Sequence, residues 1–163
     1  MTVLVRPIKK SDWNKIAEIY QEGIDTGIAT FENKVPTWDY WCANHYLKCS
    51  FVAETGENVI GFACLAPVSK REVYKGVAES SVYISTEYKN LGIGKLLLDH
   101  LILESESQGY WTLQASIFRE NSASLQLHSK CGFREIGFRE KVAKRNGKWY
   151  DNILMERRSP KIN

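Results

Sequence analysis

The sequence predicts an α/β protein in which a mixed sheet carries helices on both faces. Strand patterns outnumber helical patterns along the chain, and the helical segments are interleaved with the strands. Hydrophobic residues make up 44% of the 163 positions and charged residues 25%, the balance of an ordinary soluble globular protein. We therefore expect residues 1–163 to form a single domain, with a core large enough to need no disulfide or structural metal.

The first half of the chain contains three predicted strands and two predicted helices. Ser11 is the expected N-cap of the first helix, whose apolar residues recur at helical spacing as far as Ile24. The second helix is expected over Thr37–Lys48, behind Pro36. The strands are apolar runs bounded by turn residues: Val3–Ile8, Phe51–Glu54 and Val59–Leu65. Residues 55–58 read Thr-Gly-Glu-Asn and join the last two strands as a hairpin.

Four strands and two helices are expected in the second half. The strands are predicted over Val77–Ile84, Trp111–Phe118, Phe133–Val142 and Trp149–Met155. A long helix is expected from about Gly92 to Gln108, after a glycine-marked turn. Asn121 caps a shorter predicted helix that ends near Gly132, because glycine tolerates the left-handed conformation that ends many helices.

The composition argues against several functional classes. Lysine and arginine total 22 against 19 acidic residues, and this excess is too small to indicate a nucleic-acid-binding protein. The richest basic stretch, Lys141–Lys148, is expected to be a solvated hairpin. No segment approaches the ~18 apolar residues of a membrane span, the N-terminus lacks an export signal, and the four cysteines show no metal-ligand spacing. We therefore expect a cytoplasmic protein with reduced thiols and no metal, membrane or nucleic-acid partner.

The segment between the fourth predicted strand and the long helix is the most informative motif. It reads Lys89-Asn90-Leu91-Gly92-Ile93-Gly94-Lys95. A helix N-terminus presents unpaired N–H groups and partial positive charge, and glycines let a phosphate approach the backbone. The spacing excludes a Walker loop and, because Leu97 stands where a third glycine is needed, a dinucleotide fingerprint. The alternative is a helix start with two permissive glycines.

Glu79 lies in the strand immediately upstream of that turn, on the same face as Val77, Ser81 and Tyr83. A carboxylate in the middle of a strand is a poor β-former and is costly if it is buried without a partner. One interpretation is an exposed glutamate on a solvated face. Proximity to an anion-binding turn favours another interpretation, a general base beside a bound cofactor.

A third group of residues lies on the short helix, where Asn121 and Ser124 precede His128 and the segment ends at Gly132-Phe133. Capping alone is a sufficient explanation for Asn121 and Gly132. Without further context, a histidine such as His128 is more often a packed or surface residue than a catalyst.

Together these three features resemble the GNAT superfamily of N-acetyltransferases, over nearly the whole chain. The superfamily's pyrophosphate motif, [Gln/Arg]-x-x-Gly-x-[Gly/Ala], corresponds to residues 89–94, with Lys89 in place of the usual first residue. The sequence is more similar still to the phosphinothricin and methionine sulfoximine acetyltransferases. Three of their motifs are present in order: Glu79-Ser80-Ser81-Val82-Tyr83-Ile84; Asn121, Ser124, His128, Gly132 and Phe133; and Gly147-Lys148-Trp149-Tyr150-Asp151.

The resemblance implies a GNAT fold with a mixed, mostly antiparallel central sheet of about six to seven strands. It implies an acetyl-CoA-dependent N-acetyltransferase that uses no metal. Glu79 would be the general base, ionised at neutral pH with an unperturbed pKa of about 4.3, and His128 a second proton-handling residue. The cofactor-binding residues would be Val82, Tyr83, Ile84, Lys89, Asn90, Leu91, Gly92, Ile93, Gly94, Lys95, Asn121, Ser124 and Lys130.

The resemblance also indicates the acceptor, the primary amine of a small amino acid or an analogue such as phosphinothricin, methionine sulfoximine or methionine sulfone. Thr30, Phe31, Tyr74 and Lys75 correspond to substrate-binding segments of the similar enzymes. An aromatic wall with one cation suits a carboxylated amine. Related enzymes are commonly dimers, so we expect a homodimer. Two alternatives stay open: a peptide or protein N-terminal acetyltransferase, and a non-catalytic acyl-CoA-binding module with a regulatory role.

Overall fold

A computed structural model describes all of residues 1–163 and contains one seven-stranded sheet. The strands are β1 (Leu4–Pro7), β2 (Ser50–Thr55), β3 (Asn58–Pro67), β4 (Val77–Ile84), β5 (Thr112–Phe118), β6 (Arg134–Arg145) and β7 (Lys148–Arg158). They lie in the order β1-β2-β3-β4-β5-β7-β6, and every neighbouring pair is antiparallel except β4 and β5. The prediction of a mixed, mostly antiparallel sheet is confirmed.

Four α-helices cover both faces of the sheet, as the sequence predicts. They are α1 (Trp13–Asp25), α2 (Trp38–Asn44), α3 (Ile93–Ser107) and α4 (Ser122–Lys130). Leu97 and Leu101 of α3 pack into a core that also takes side chains from β2, β3 and β5. Ile16 of α1 and Trp41 of α2 form a second core with sheet residues such as Phe62. Burial of these apolar side chains supplies the main stabilising free energy of the fold. None of the four helices is long and apolar enough to cross a bilayer.

The first helix begins later than the sequence predicts. It starts at Trp13 rather than directly after Ser11, because Lys10–Asp12 form a 3₁₀ turn. The Arg6 guanidinium holds this turn by donating to the two oxygens of the Asp12 carboxylate at 2.8 and 2.9 Å. The same carboxylate accepts the Lys9 N–H at 2.8 Å, so Asp12 and not Ser11 fixes the approach to the helix.

The second helix is shorter than predicted. It ends at Asn44 instead of Lys48, and His45 is extended, with a φ of −132°. The imidazole Nδ1 of His45 donates to the Trp41 carbonyl at 2.8 Å. Because that carbonyl is the acceptor that the His45 N–H would use in a continued helix, the side chain replaces the backbone bond and the helix stops.

The parallel contact between β4 and β5 is short. Its paired residues are Val77–Glu79 and Thr112–Gln114, and the strands have no paired residues beyond them. β4 continues to Ile84 against β3, whereas β5 continues to Phe118 against β7. One edge of residues 80–84 therefore has no neighbouring strand, and a gap opens between β4 and β5.

Candidate active site

The gap between β4 and β5 contains a cavity of about 710 Å³, which we call the β4–β5 cavity. Its walls come from the two strands, the turn before α3, the helix α4 and the loop after α1. Every residue that the sequence predicts to bind the cofactor lines this cavity except Leu91, whose side chain is 56% exposed. The structure thus brings together segments that are up to about a hundred residues apart in the chain.

The turn before α3 offers backbone N–H groups to an anion. Gly92 has a φ of 80°, in the left-handed region that favours glycine, and a Cβ built there would meet no atom within 4 Å. The first backbone bond of the helix joins the Leu96 N–H to the Gly92 carbonyl at 3.1 Å. The N–H groups of Ile93, Gly94 and Lys95 precede that bond, so they are available to a phosphate at the positive end of the helix dipole.

Glu22 of α1 anchors the start of this turn. Its carboxylate accepts the Thr86 N–H at 2.6 Å and the Ser85 hydroxyl at 3.4 Å. These contacts fix the chain between the end of β4 and the residues that face the anion. The sequence does not reveal the role of Glu22, because the partners lie 63 and 64 positions away in the chain.

Asn121 has two structural contacts in addition to its place in the cavity wall. Its side-chain oxygen accepts the Ser124 N–H at 3.2 Å, which confirms the predicted N-cap of α4. Its amide nitrogen donates to the Ile28 carbonyl at 3.2 Å. The side chain therefore joins α4 to the loop after α1, on opposite walls of the β4–β5 cavity.

Glu79 is the last β4 residue paired with β5 and lies where the two strands begin to separate. Its side chain is half-buried, and Oε2 accepts the Ser116 hydroxyl at 3.4 Å. Burial raises the pKa of this carboxyl above its ordinary value, while the Ser116 hydrogen bond and the Arg139 charge act in the opposite direction. The expectation of an unperturbed carboxyl is therefore wrong, and the raised pKa makes Glu79 a stronger base.

His128 is buried, with 3% of its surface exposed, and lines the β4–β5 cavity. Nδ1 lies 2.8 Å from the Ser124 carbonyl; since a carbonyl only accepts, Nδ1 carries the proton. Nε2 has no hydrogen-bond partner. Burial lowers the pKa of the imidazole, so the ring is neutral at pH 7 and keeps an unused lone pair on Nε2.

Thr30 and Phe31 lie in the loop after α1, and Arg145 from the distant β6–β7 hairpin holds this loop. The guanidinium donates to the Thr30 carbonyl at 2.7 Å and to the Gly27 carbonyl. It lies 5.0–5.8 Å from three ring centroids, those of Phe31, Phe118 and Tyr150. Neighbouring residues of the loop line the β4–β5 cavity, so Arg145 positions one of its walls. The expectation that this basic stretch is only a solvated hairpin is wrong at Arg145.

Tyr74 and Lys75 line neither the β4–β5 cavity nor the second cavity described below. They belong to a 3₁₀ turn and its C-cap directly before β4. Tyr74 is 46% exposed, and the Arg71 guanidinium lies 5.6 Å from its ring centroid. Lys75 forms an exposed ion pair with Glu72 at 2.7 Å. Their assignment to the substrate stays a prediction.

A second cavity, of about 330 Å³, lies on the α1–α2 side of the sheet, and we call it the aromatic cavity. Six rings line it: Tyr20, Tyr40, Trp41, His45, Phe62 and Tyr83. Ser81 of β4 lines both cavities. In the sequence, the only sign of this cavity is the alternation of residues along β3 and β4. That alternation does not show that α2 leaves space above these two strands.

A strand with a free edge, beside a helix N-terminus with unpaired donors, defines a class of proteins that bind an extended, phosphate-bearing cofactor. A comparison with family models agrees with this class: the model described as Acetyltransferase (GNAT) domain matches residues 5–154. The chain belongs to the GNAT acetyltransferase family and is an acyltransferase. No group of three or more His, Cys, Asp and Glu side chains is placed to hold a metal ion.

Two curated relatives are similar over most of their length. The phosphinothricin N-acetyltransferase of Alcaligenes faecalis is 33% identical over 160 residues, which cover 94% of this chain and 81% of that protein. The L-methionine sulfoximine/L-methionine sulfone acetyltransferase of Pseudomonas aeruginosa is 26% identical over 163 residues, which cover 96% of this chain and 94% of that protein.

Two solved structures share the fold. The phosphinothricin acetyltransferase of Sinorhizobium meliloti, in complex with acetyl-CoA, has a TM-score of 0.87 at 29% identity and covers 97% of this chain and 89% of its own. The ribosomal-protein-alanine N-acetyltransferase of Brucella melitensis also has a TM-score of 0.87, at 27% identity, and covers 96% and 99%. The superposed chains confirm the GNAT fold.

Proposed function

We propose that this enzyme transfers the acetyl group of acetyl-CoA to the primary amine of a small amino acid or analogue, with Glu79 as the general base. The observation that carries the proposal is the position of Glu79 where β4 and β5 separate, one residue before Ser80, the first β4 residue that lines the β4–β5 cavity. A proton acceptor at that point lies beside the end of any extended cofactor that runs along the free edge of β4.

The residues of the β4–β5 cavity fit acetyl-CoA. The unpaired edge of Val82–Ile84 can pair with the amide groups of the pantetheine arm, as an added strand would. The N–H groups of the Gly92 turn suit the pyrophosphate, and Lys89 and Lys95 add positive charge at the cavity wall. When bound, acetyl-CoA supplies the acetyl thioester.

Glu79 prepares the acceptor for reaction. An amino acid reaches the enzyme as an ammonium ion, and only the neutral amine can attack a thioester carbonyl. Glu79 accepts the ammonium proton, directly or through a water molecule, and the Ser116 hydroxyl holds its carboxylate in place at 3.4 Å. The amine nitrogen would then bond to the acetyl carbon as the carbon–sulfur bond breaks, and the second proton that the nitrogen loses would end on the departing coenzyme sulfur, so that no covalent enzyme intermediate is needed.

We assign His128 a secondary role in moving protons. The residue lines the β4–β5 cavity, and its neutral ring has a free lone pair on the buried Nε2, which would accept a proton from the amine as the bond to the acetyl carbon forms. Because the Ser124 carbonyl holds Nδ1–H at 2.8 Å, the ring keeps one tautomer and one orientation.

The choice of an amino-acid acceptor is supported by the names of the two curated relatives, which act on phosphinothricin and on methionine sulfoximine or sulfone. Tyr74 and Lys75, with the nearby Arg71, are the proposed partners of the acceptor's carboxylate. They lie in the turn that leads directly into β4, at most eight residues before Glu79 in the chain.

The competing function is acetylation of a peptide N-terminus, which is supported by the name of the Brucella melitensis protein, a ribosomal-protein-alanine N-acetyltransferase. A thiol-release assay with acetyl-CoA separates the possibilities when the acceptors are free amino acids, methionine sulfone, methionine sulfoximine, phosphinothricin, polyamines and short alanine-terminated peptides. We expect turnover with amino acids or their analogues. Turnover with peptides alone would establish the competing function, and binding of acetyl-CoA without turnover would indicate a non-catalytic module.

We also propose that the enzyme is a homodimer, as the resemblance implies, and that it is cytoplasmic, as we expect from the sequence. Three large side chains on the last two strands are 40–52% exposed, namely Ile136, Phe138 and Trp149. Apolar side chains on an edge strand suit burial against a second copy. Light scattering should give twice the 18.7 kDa of the chain; a monomer at the concentrations of the assay would contradict the proposal.

A further inference from the structure

We propose that the aromatic cavity binds the side chain of the acceptor and selects acceptors whose side chain carries no charge. The inference rests on the proposed function, because it assumes that the acceptor is an amino acid whose amine reaches Glu79. It adds a binding site that shares Ser81 and Tyr83 with the β4–β5 cavity, and it names the chemistry that this site accepts.

The aromatic cavity begins beside Glu79. In the β3–β4 ladder, Ala66 is the partner of Glu79 and Cys64 is the partner of Ser81, and both β3 residues line the cavity. Burial, with a smaller contribution from the nearby Glu79 carboxylate, raises the pKa of the Cys64 thiol to about 12. A side chain attached to an amine at Glu79 can therefore extend into the aromatic cavity.

The walls of the cavity are preformed and mostly apolar. The Tyr83 ring stacks on Phe62 and meets the edge of Tyr20, with both pairs of centroids 5.0 Å apart. On the helix side, the His45 ring stacks on Trp41 at 4.3 Å. Rings held by one another present a fixed surface to a small apolar or weakly polar group, and about 330 Å³ is enough space for an amino-acid side chain.

The charge of the cavity disfavours an anion. No lysine or arginine lines it, and its one charged residue is Glu32, whose carboxylate has no hydrogen bond or ion pair. His45 supplies no positive charge near pH 7, because burial lowers the pKa of its imidazole. An anionic side chain would lose its hydration here without gaining a partner, and it would also be repelled by Glu32.

Two acceptors of nearly the same shape test the proposal. Methionine sulfone has a neutral methylsulfonyl group where phosphinothricin has an anionic methylphosphinate. We expect kcat/KM of the wild-type enzyme to favour methionine sulfone by at least about tenfold, because an unpaired charge in the cavity is costly.

Glu32→Lys places a cation at the cavity and should reduce this preference about tenfold. Glu32 is exposed and its carboxylate forms no hydrogen bond or ion pair, so the variant should fold.

The matched control is Glu57→Lys, which makes the same change of charge at an exposed position in the β2–β3 turn. It should leave the ratio of the two kcat/KM values unchanged. The inference is overturned if the wild-type enzyme accepts phosphinothricin as well as methionine sulfone, or if the two lysine variants alter the ratio equally. If no amino acid is acetylated but a peptide is, the proposed function fails and the inference fails with it.

Discussion

Glu79 and His128 are both withdrawn from water, and burial moves their pKa values in opposite directions. A buried carboxyl is harder to ionise, so its pKa rises, whereas a buried imidazole is harder to protonate, so its pKa falls. Near neutral pH the consequence is the same for both groups. Glu79 is a strengthened base, and His128 is neutral and able to accept a proton at Nε2.

Glu79→Gln keeps the shape of the side chain and removes its basicity. We expect kcat at neutral pH to fall about 10²–10⁴-fold, with the calorimetric Kd for acetyl-CoA unchanged. In the wild-type enzyme, kcat should decline as the pH falls through the raised pKa of Glu79, above the ordinary 4.5, because a protonated carboxyl accepts no proton. The variant should lack this decline. Full activity in Glu79→Gln, combined with a loss in His128→Ala, would reverse the two roles.

The same variant should be more stable than the wild-type enzyme. Because the pKa of Glu79 is higher in the folded state, the folded protein holds the proton more tightly, and stability falls as the pH rises from the unfolded pKa through the folded one. At neutral pH this loss is complete, and a neutral glutamine avoids it. We expect an increase in Tm of about 2–4 °C for a gain on the order of 1 kcal/mol. A lower Tm at pH 7, measured by calorimetry, would show that the carboxylate is well stabilised.

Some residue-level features could be predicted from the sequence, and others could not. Glu79 and the Gly92 turn are separated only by the rest of β4 and one 3₁₀ turn, so one strand and one turn are enough to predict that both belong to the same site. The pKa of Glu79 is raised by burial and lowered by Ser116, which is 37 positions away and reaches it only through the pairing of β4 with β5. The roles of Glu22 and Arg145 likewise depend on partners that no local pattern reveals.

At the scale of elements, local signals set the start of α3 and long-range contacts set the end of α2. Gly92 marks the boundary of α3 through its own left-handed conformation, and the prediction from Gly92 to Gln108 agrees with the observed helix of residues 93–107. The end of α2 depends on a side-chain contact of His45 that spacing does not predict. β6 and β7 extend beyond the apolar segments from which the sequence predicts them, because cross-strand pairing continues to Arg145 and Lys148.

Gly92→Ala tests whether the turn before α3 binds the pyrophosphate. A methyl group there would stand where phosphate must approach the backbone, so we expect Kd for coenzyme A to rise about 10–100-fold, the equivalent of about one hydrogen bond to a charged group. Gly109→Ala is the matched control, since Gly109 also has a positive φ, of 87°, and no atom within 4 Å of a built Cβ. The free energy of unfolding should fall by a similar amount in both variants. Equal affinity of both folded variants for coenzyme A would remove the turn from the binding site.

At the scale of the whole molecule, the site exists because strands and loops from distant parts of the chain meet around β4. The alternation of strand and helix patterns predicts the fold class, but neither the strand order nor the separation of β4 from β5 can be read from it. The aromatic cavity has the same origin, since α2 closes over β3 and β4 only in the folded chain. The acceptor specificity that we propose for this cavity would consequently depend on the folded molecule as a whole.

The most direct test of the proposed activity compares methionine sulfone with the matching amine that lacks the carboxylate, 3-(methylsulfonyl)propylamine, by thiol release from acetyl-CoA. If the enzyme acetylates amino acids, the carboxylate has a cationic partner, and its removal leaves that partner unpaired. We predict that kcat/KM falls at least about tenfold for the decarboxylated amine, and that Lys75→Met lowers kcat/KM for methionine sulfone alone. Equal kcat/KM for the two acceptors would contradict an amino-acid acetyltransferase.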